Sequence, residues 1–587
     1  LDRLKKITGT IMLLAINTFA MAQNSSLSKS EPISIATNET LFVHLNNTTL
    51  IAGETLHCKL YCTNPTNNTW SEISKIAYVD LVNSDSQVIF SNKIYLDNGK
   101  GQGDFFIPTT IETGNYKLIA YTKWMLNKKD LKIAKTDLLL INPYLVSNKT
   151  NSASKETKTT GNESVTENSI KDKTFAIQLD KTTFQEREQV ALKIKSLTAE
   201  TNKGSYSLSV KKIDNLPSKR QMNAAEFVKF NTNNELTNRM NDSIRFLPEL
   251  RGEIISGSIT NNKNPGEINH KTVALSIPGK EYAFKITQTN PSGKFNFILD
   301  KDPNYSNAVV QIIGNDKNDY KIDVDKNKGY NLSDLKNTDE TFLTSDYKST
   351  IEQRSIANQI ENAYYSLKKD SITNGSSVYP FYNPLQKEYI LGDYTKFPTL
   401  KETITEVIKE MYYREKDNNY SLNLRDINYD LEYFSEPALV LVDGLLIQNV
   451  NELFTYKTEN IYKVSIVPGV YFYGPKAFNG VINFTTKNND YVTSAHGNFI
   501  LNTEIQRPQN KIIAFKQNYN DQNKENRIPD YRYQLLWEPQ LTLENKENTV
   551  SFFTSDVSGK YEISLEGFTE NGLPVSAKEI IEVNTSN

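Results

Sequence analysis

The sequence predicts a mainly β protein: tandem β-sandwiches with one α+β domain in the C-terminal half. Two observations carry this prediction. Short runs that alternate apolar and polar residues recur between turn signals such as Asn64-Pro65, Asn98-Gly99 and Thr113-Gly114-Asn115, the punctuation of a sandwich with strands about every 8–12 residues. Aromatic residues make up 10% of the 587-residue chain, mostly Tyr (32) and Phe (26), types that favour pleated, half-buried strands. Clear three-and-four apolar spacing is confined to two stretches, near 346–369 and 399–414.

The elements follow in order. Residues 1–22 carry the pattern of a secretory signal peptide: Arg3, Lys5 and Lys6, an apolar run from Ile11 to Ala20, and Ala20-Met21-Ala22 before Gln23. That run is shorter than the roughly 20 apolar residues a spanning helix needs, and no later segment reads as an integral membrane span. No Cys follows the cleavage pattern directly, so a lipid anchor is not expected. Residues 33–145 form the first sandwich, with strands near Leu41–Leu45, Glu54–Cys62, Ile76–Val82, Val88–Leu96, Gly103–Ile107 and Tyr116–Lys123. Within it Leu56, Cys58, Leu60 and Cys62 alternate with His57, Lys59 and Tyr61. Cysteines four residues apart on a strand lie about 13 Å from each other, too far to bridge. They are expected as two small buried groups.

Residues 146–173, rich in Ser, Thr, Asn, Lys and Glu, read as a flexible linker. Strands resume over 174–330. The region 345–490 contains two amphipathic helices and three apolar strands. The first helix places Ile351, Ile356, Ile360, Ala363, Tyr364 and Leu367 on one face, with Asp346 as its N-cap. The second, Thr399–Arg414, opens with Thr399 and Glu402 in capping-box spacing. Strands are expected at Pro437–Val442, closed by the Asp443-Gly444 turn, at Ile461–Gly469 and at Val481–Lys487. Residues 491–587 read as a further sandwich.

Several stretches resemble known modules. The series Ala52-Gly53-Glu54, Ala77-Tyr78-Val79-Asp80-Leu81, Gly103-Asp104-Phe105-Phe106 and Gly114-Asn115-Tyr116 through Tyr121-Thr122-Lys123-Trp124 resembles the MG2 (macroglobulin-like) domains of α2-macroglobulin relatives and of Bacteroidetes envelope proteins. The order Gly252-Glu253-Ile254, Val273–Ile277 and Gly293-Lys294-Phe295-Asn296-Phe297 is similar to the carboxypeptidase regulatory-like sandwich, a connecting module without chemistry of its own. Val442-Asp443-Gly444, Ile461 to Gly469, and Tyr473-Gly474-Pro475-Lys476-Ala477-Phe478-Asn479-Gly480-Val481-Ile482-Asn483 resemble the plug domain of TonB-dependent outer-membrane receptors over about 380–490. Fewer than 100 residues follow that stretch, too few for a receptor barrel, so the expectation is a plug-like domain lacking the barrel. Residues 533–583 resemble a terminal Ig-like or macroglobulin-like domain.

Composition narrows the function classes. Lys and Arg number 67 against 69 Asp and Glu, a net charge of −2, which lacks the basic surplus a nucleic-acid binder needs. Four His and two Cys, none in a ligand-like or nucleophile motif, give no metal, cofactor or catalytic residue to name. A macroglobulin-type thioester needs a Gln three residues after its Cys; Tyr61 and Pro65 stand there. Any carboxylate pair could still meet in space. The expected function is that of a non-catalytic, exported protein, periplasmic or associated with the outer membrane. Its plug-like domain would bind an outer-membrane barrel or another envelope protein. Asp443, Gly444, Tyr471, Phe472, Tyr473, Gly474 and Phe478 are the candidate partner contacts, because aromatic residues beside glycines suit an interface. The alternative is a glycan-binding protein using Trp70, Trp124 and Trp537.

Overall fold

The computed structural model describes residues 38–66, 68–128, 131, 133–145, 170–198, 203–232, 244–261, 263–300, 305–326, 329–335, 341, 343–372, 379–425, 437–519, 527–543 and 545–585. The signal-peptide pattern and most of the expected linker lie outside these residues. The fold is mainly β, a set of tandem β-sandwiches with one α+β unit, the class the sequence predicts.

The N-terminal sandwich pairs Thr40–Leu45, Thr55–Thr63 and Lys100–Phe106 in one sheet. The facing sheet runs in the order Thr49–Ile51, Lys135–Ile141, Gly114–Tyr121, Ile76–Asn83, Val88–Tyr95. Leu41, Val43, Leu56, Cys58, Leu60 and Cys62 point into the core between them, and both cysteines are free and buried. The opposite face of the strand, with Lys59 and Tyr61, is buried as well. Alternation here marks two covered faces rather than one wet and one dry.

A second sandwich explains the cover, and it is discontinuous in sequence. Gly204–Lys212 pairs antiparallel with both Gln534–Leu541 and Gly559–Thr569, and Gln189–Ser196 pairs with Glu547–Phe553. The strands expected as a separate C-terminal domain, 491–587, thus complete the module expected to begin at 174. The physical reason is that neither set of strands has enough apolar area alone: Tyr206, Leu208 and Val210 share one core with Tyr561, Ile563 and Leu565. We call it the closing sandwich. The end of the expected linker also belongs to it, since Ile170 exchanges backbone hydrogen bonds with Lys578 at 3.0 and 3.1 Å.

Between the two parts of the closing sandwich sits an inner sandwich. Its sheets are Lys294–Leu299, Glu253–Asn261, Tyr320–Val324 and Ala283–Gln288, Thr272–Ile277, Asn307–Ile313, Ile500–Glu504. The last strand returns after the α+β unit, so that unit is an insertion within an insertion. Its mixed sheet runs Lys387–Ile390, Ile461–Val467, Val481–Thr486, Leu439–Val442, Leu445–Leu446. Leu439–Val442 is buried on both faces, as a near-continuous apolar run requires. Val440 and Val442 meet Leu400 and Ile404 on one side; Leu439 and Leu441 meet Ala274 and Phe284 of the inner sandwich on the other.

Two helix expectations need correction. The capping box forms, but the helix covers only Leu400–Glu406, and Met411–Lys416 turns into a hairpin strand. The first helix is Lys348–Ala363, without a side-chain cap from Asp346. Its buried face carries Arg354, Ser355 and Ala357, while Ile356 is 57% exposed and Leu367 stays outside too. An ion pair docks this helix, and of the apolar stripe Ile351 packs beside it against Ile51, Leu139 and Ile141. The Arg354 Nε and Nη2 donate to the two Glu54 carboxylate oxygens at 2.6 and 2.8 Å, Nη1 to Asp214 Oδ2 at 2.9 Å, and Nη2 also to the Thr49 carbonyl at 2.9 Å. Asn358 and Asn362 donate to the carbonyls of Ala52 and Gly53.

A second buried junction joins the N-terminal and inner sandwiches. Glu253, with no exposed surface, accepts from Lys93 Nζ at 2.5 Å and from Arg507 Nη1 at 2.8 Å. Breaking one partner of such a site leaves a charge buried and unpaired, at a cost of about 3–5 kcal/mol. Arg354→Ala is therefore expected to lower stability by about that much in denaturant unfolding. Arg354→Lys should recover only part of the loss, because a single ammonium cannot reproduce the fork.

Candidate partner-contact face

The Asp443-Gly444 turn forms where the sequence places it. Leu441 pairs with Leu446 and Val442 with Leu445, leaving two turn residues at φ 50° and 83°, the positive values that a tight hairpin of this twist demands. Asp443 is buried. Its Oδ1 accepts from the Thr486 backbone N–H at 2.8 Å, and its Oδ2 from Thr486 Oγ1 at 2.6 Å. Burial pushes its carboxyl above the usual range, against the lowering effect of these donors. The Asp443 carbonyl accepts from Gly279 N–H at 3.1 Å, so the turn is tied to the inner sandwich.

Gly444 is packed against Tyr282 so closely that a Cβ would sit 2.2 Å from the ring. Tyr282 continues the contact by donating to the Tyr382 hydroxyl at 2.8 Å. The short edge strand beside the turn has its backbone satisfied from across the joint: Ser276 Oγ accepts from Leu446 N–H at 3.1 Å, and Gln311 donates to the Leu446 carbonyl at 2.8 Å.

The hairpin Tyr471–Tyr473 and Lys476–Phe478 divides by strand alternation. Tyr471 donates to the Phe381 carbonyl at 2.8 Å, and Tyr473 donates to the Phe284 carbonyl. Phe381 and Tyr473 lie with ring centroids 4.3 Å apart. Phe478 is buried in the same cluster, and at Gly474 a Cβ would meet the Ile286 carbonyl oxygen at 3.0 Å. Phe472 points the other way and is 78% exposed, next to exposed Val470.

This sorts the seven candidates. Asp443, Gly444 and Phe478 are consumed by an internal joint, and Tyr471, Tyr473 and Gly474 are engaged at its rim. Only Phe472 presents its side chain outward. The sequence signal of aromatics beside glycines does mark an interface, but one within the chain. Residues that pattern-reading missed are Tyr282, Phe284 and Phe381, whose role depends on contacts over 90 or more positions away, as between Tyr471 and Phe381.

The tryptophans named for glycan stacking are also inside. Trp124 and Trp537 are buried, and half-buried Trp70 stacks on Tyr61 and meets Phe568 edge-on, with Lys100 over its ring. Among the described residues no group of three or more His, Cys, Asp or Glu is placed to hold a metal ion, and no helix is long and apolar enough to cross a membrane.

No protein-family model and no curated protein matches the chain. Among solved structures, the similar chains include trypsin-activated α2-macroglobulin from Escherichia coli, at 9% identity and TM-score 0.22, covering 94% of this chain and 42% of that one. The native E. coli form gives 10% identity, TM-score 0.23 and coverages of 94% and 40%. Salmonella α2-macroglobulin reacted with methylamine gives 8%, 0.23, 93% and 40%. The chain spans less than half the length of these proteins, and likeness at this level assigns no role to any of its residues.

The Gly444 joint yields a direct expectation. Gly444→Ala adds a side chain at positive φ, costing about 1–2 kcal/mol, and drives it into Tyr282, costing about 1–3 kcal/mol more. Chemical denaturation should show a loss near the sum. Gly444→Ala combined with Tyr282→Ala should be less destabilised than the two separate losses added together.

Proposed function

We propose that this chain is a non-catalytic cell-envelope protein whose α+β unit and sandwiches bind a protein partner at the outer membrane, an outer-membrane barrel made by another chain. The observation that supports this most is the outer side of the 471–478 hairpin. Tyr471 and Tyr473 hold the hairpin to the inner sandwich, so Phe472 is an aromatic side chain on a fixed backbone. Such a group loses little freedom on binding and can serve as the anchor of an interface. Val470 and Ala477 extend the apolar surface around it.

The test is a photo-crosslinking residue at position 472 in envelope fractions. One dominant outer-membrane barrel protein should be captured, and Phe472→Ser should reduce its co-purification at least tenfold without moving the unfolding midpoint. Recovery of the chain free in the soluble periplasm, with no crosslinked species, would overturn the proposal.

A second reading, glycan binding, has its own observation. A cleft of about 560 Å³ is lined by Tyr456, Tyr491, Asn460, Asn488, Asp490 and Glu452, a mix of ring faces and polar groups suited to a sugar. A thermal-shift panel of envelope glycans should raise the melting point for at least one ligand, and the rise should vanish in Tyr456→Ala; a flat panel removes this reading.

A further inference from the structure

We propose that the contact between the N-terminal and closing sandwiches is a pH-sensitive joint, closed while His44 and His57 are neutral around Trp537 and loosened when acid protonates both. The geometry is that of an imidazole pair on one indole. His44, on Thr40–Leu45, lies 5.4 Å from the Trp537 ring centroid, and His57, on Thr55–Thr63, stacks on it at 5.9 Å. Trp537 comes from the closing sandwich, so the two rings grip a residue of the other module. His44 Nδ1 is 2.7 Å from Ser207 Oγ, which also accepts from Tyr61 OH at 2.9 Å. His44 is fully buried, whereas His57 keeps an edge open to solvent, giving protons a route in.

Charged groups of both signs surround the pair, and those acting on His44 are lysines. Lys59 is the cross-strand partner of His44. From the closing sandwich Lys211 and Lys578 act on His44, with Glu562 held between them at 3.8 and 3.0 Å. Glu538 faces Lys59, together with Lys100 and Lys511. Asp104 is opposite His57. Glu566 lies deeper in the joint, accepting from Ser576 Oγ at 2.6 Å and from the Ala224 N–H at 2.9 Å.

Burial, reinforced by Lys578 and Lys211, pushes His44 down to about 3, and burial pushes His57 down to about 4. Both are below the free value of 6.5, so the closed joint binds fewer protons than the open one. The histidines' contribution to closure is full above pH 6.5 and falls as pH drops, by about tenfold per histidine per pH unit. Lys59, pushed down to about 7 by burial, is fully charged across from His44 by the time the histidines titrate. Glu566 acts in the opposite sense. Burial raises it to about 7, so its proton uptake favours closure between pH 7 and its free value near 4.5. Asp104, raised by burial and then by Asp370, helps in the same direction. Below pH 4.5 Glu566 gives nothing more, while His44 and His57 go on resisting protonation down to about 3 and 4. Loosening therefore falls between about pH 5 and 4.

The test is hydroxyl-radical footprinting of the native full-length chain from pH 8 to 4, read by mass spectrometry at individual tryptophans. Trp537 oxidation should rise at least fivefold between pH 5 and 4 and return on neutralisation. Trp124, equally buried but within the N-terminal sandwich, should stay protected. Trp537 remaining protected at pH 4 overturns the proposal, and so does Trp124 opening with it, which is global acid unfolding. His57→Phe keeps an apolar ring on the indole and should move the Trp537 transition to lower pH by about one unit. An unchanged midpoint in that variant overturns the proposal as well.

Discussion

Arg354 is the residue on which the arrangement of this molecule most depends. Its guanidinium reaches a strand and a turn of the N-terminal sandwich through Thr49 and Glu54, and Asp214 at the exit of the closing sandwich. It also lies over the Tyr533 ring, just ahead of the strand that completes that sandwich. A planar fork with five donors is suited to such a meeting point, since each edge can serve a different part of the chain. The helix that carries it buries little of its apolar surface beyond Ile351 and Ala357. Its placement is therefore fixed by direction-specific bonds, and the same bonds fix how the two sandwiches sit against each other.

The same solution recurs at the other joints. Glu253 takes charges from both sides of the N-terminal and inner sandwiches. Glu39, fully buried, is satisfied by Ser71, Ser74 and Thr122 hydroxyls and pins the start of the first strand. Burying such groups is expensive unless every lone pair is used. Here each carboxylate oxygen of Glu54, Glu253 and Glu39 has a donor; the Arg354 and Glu253 networks each specify one relative placement of two modules, and Glu39 fixes its strand within the N-terminal sandwich. This is why a chain of near-neutral net charge and moderate apolar content can hold several sandwiches in fixed contact.

How much of this the sequence disclosed follows from the range of the interactions. Local rules performed well: the Asp443-Gly444 hairpin, the Thr399 and Glu402 capping box, and the strand alternation through Leu56 and Cys62 all depend on residues within a few positions of one another. Two local readings failed, the Asp346 cap and the second half of the Thr399–Arg414 helix; the larger failures were non-local. That Gly204–Lys212 pairs with strands more than 300 residues later leaves no trace in either segment's period. The helix around Ile356 departs from its pattern because part of its apolar stripe, Ile356 above all, stays exposed, while the residue that docks it, Arg354, reads as solvated in any sequence rule. His57, Lys59 and Tyr61, the other half of that alternation, are covered by another module.

The candidate site shows the same limit from the functional side. Glycines flanked by aromatics signal close backbone approach and ring packing, and both occur at Gly444 and Tyr473. Periodicity cannot say whether the approaching surface belongs to a partner or to the same chain. Nested insertion decides it here, because the strand Ile500–Glu504 returns to the inner sandwich and forces the α+β unit to lie against Tyr282 and Phe284. Once those rings have taken the inner side of the 471–478 hairpin, pleat geometry leaves its outer side to Phe472. The exposed position of that one aromatic is thus a consequence of the internal joint, and its rigidity is inherited from Tyr471 and Tyr473.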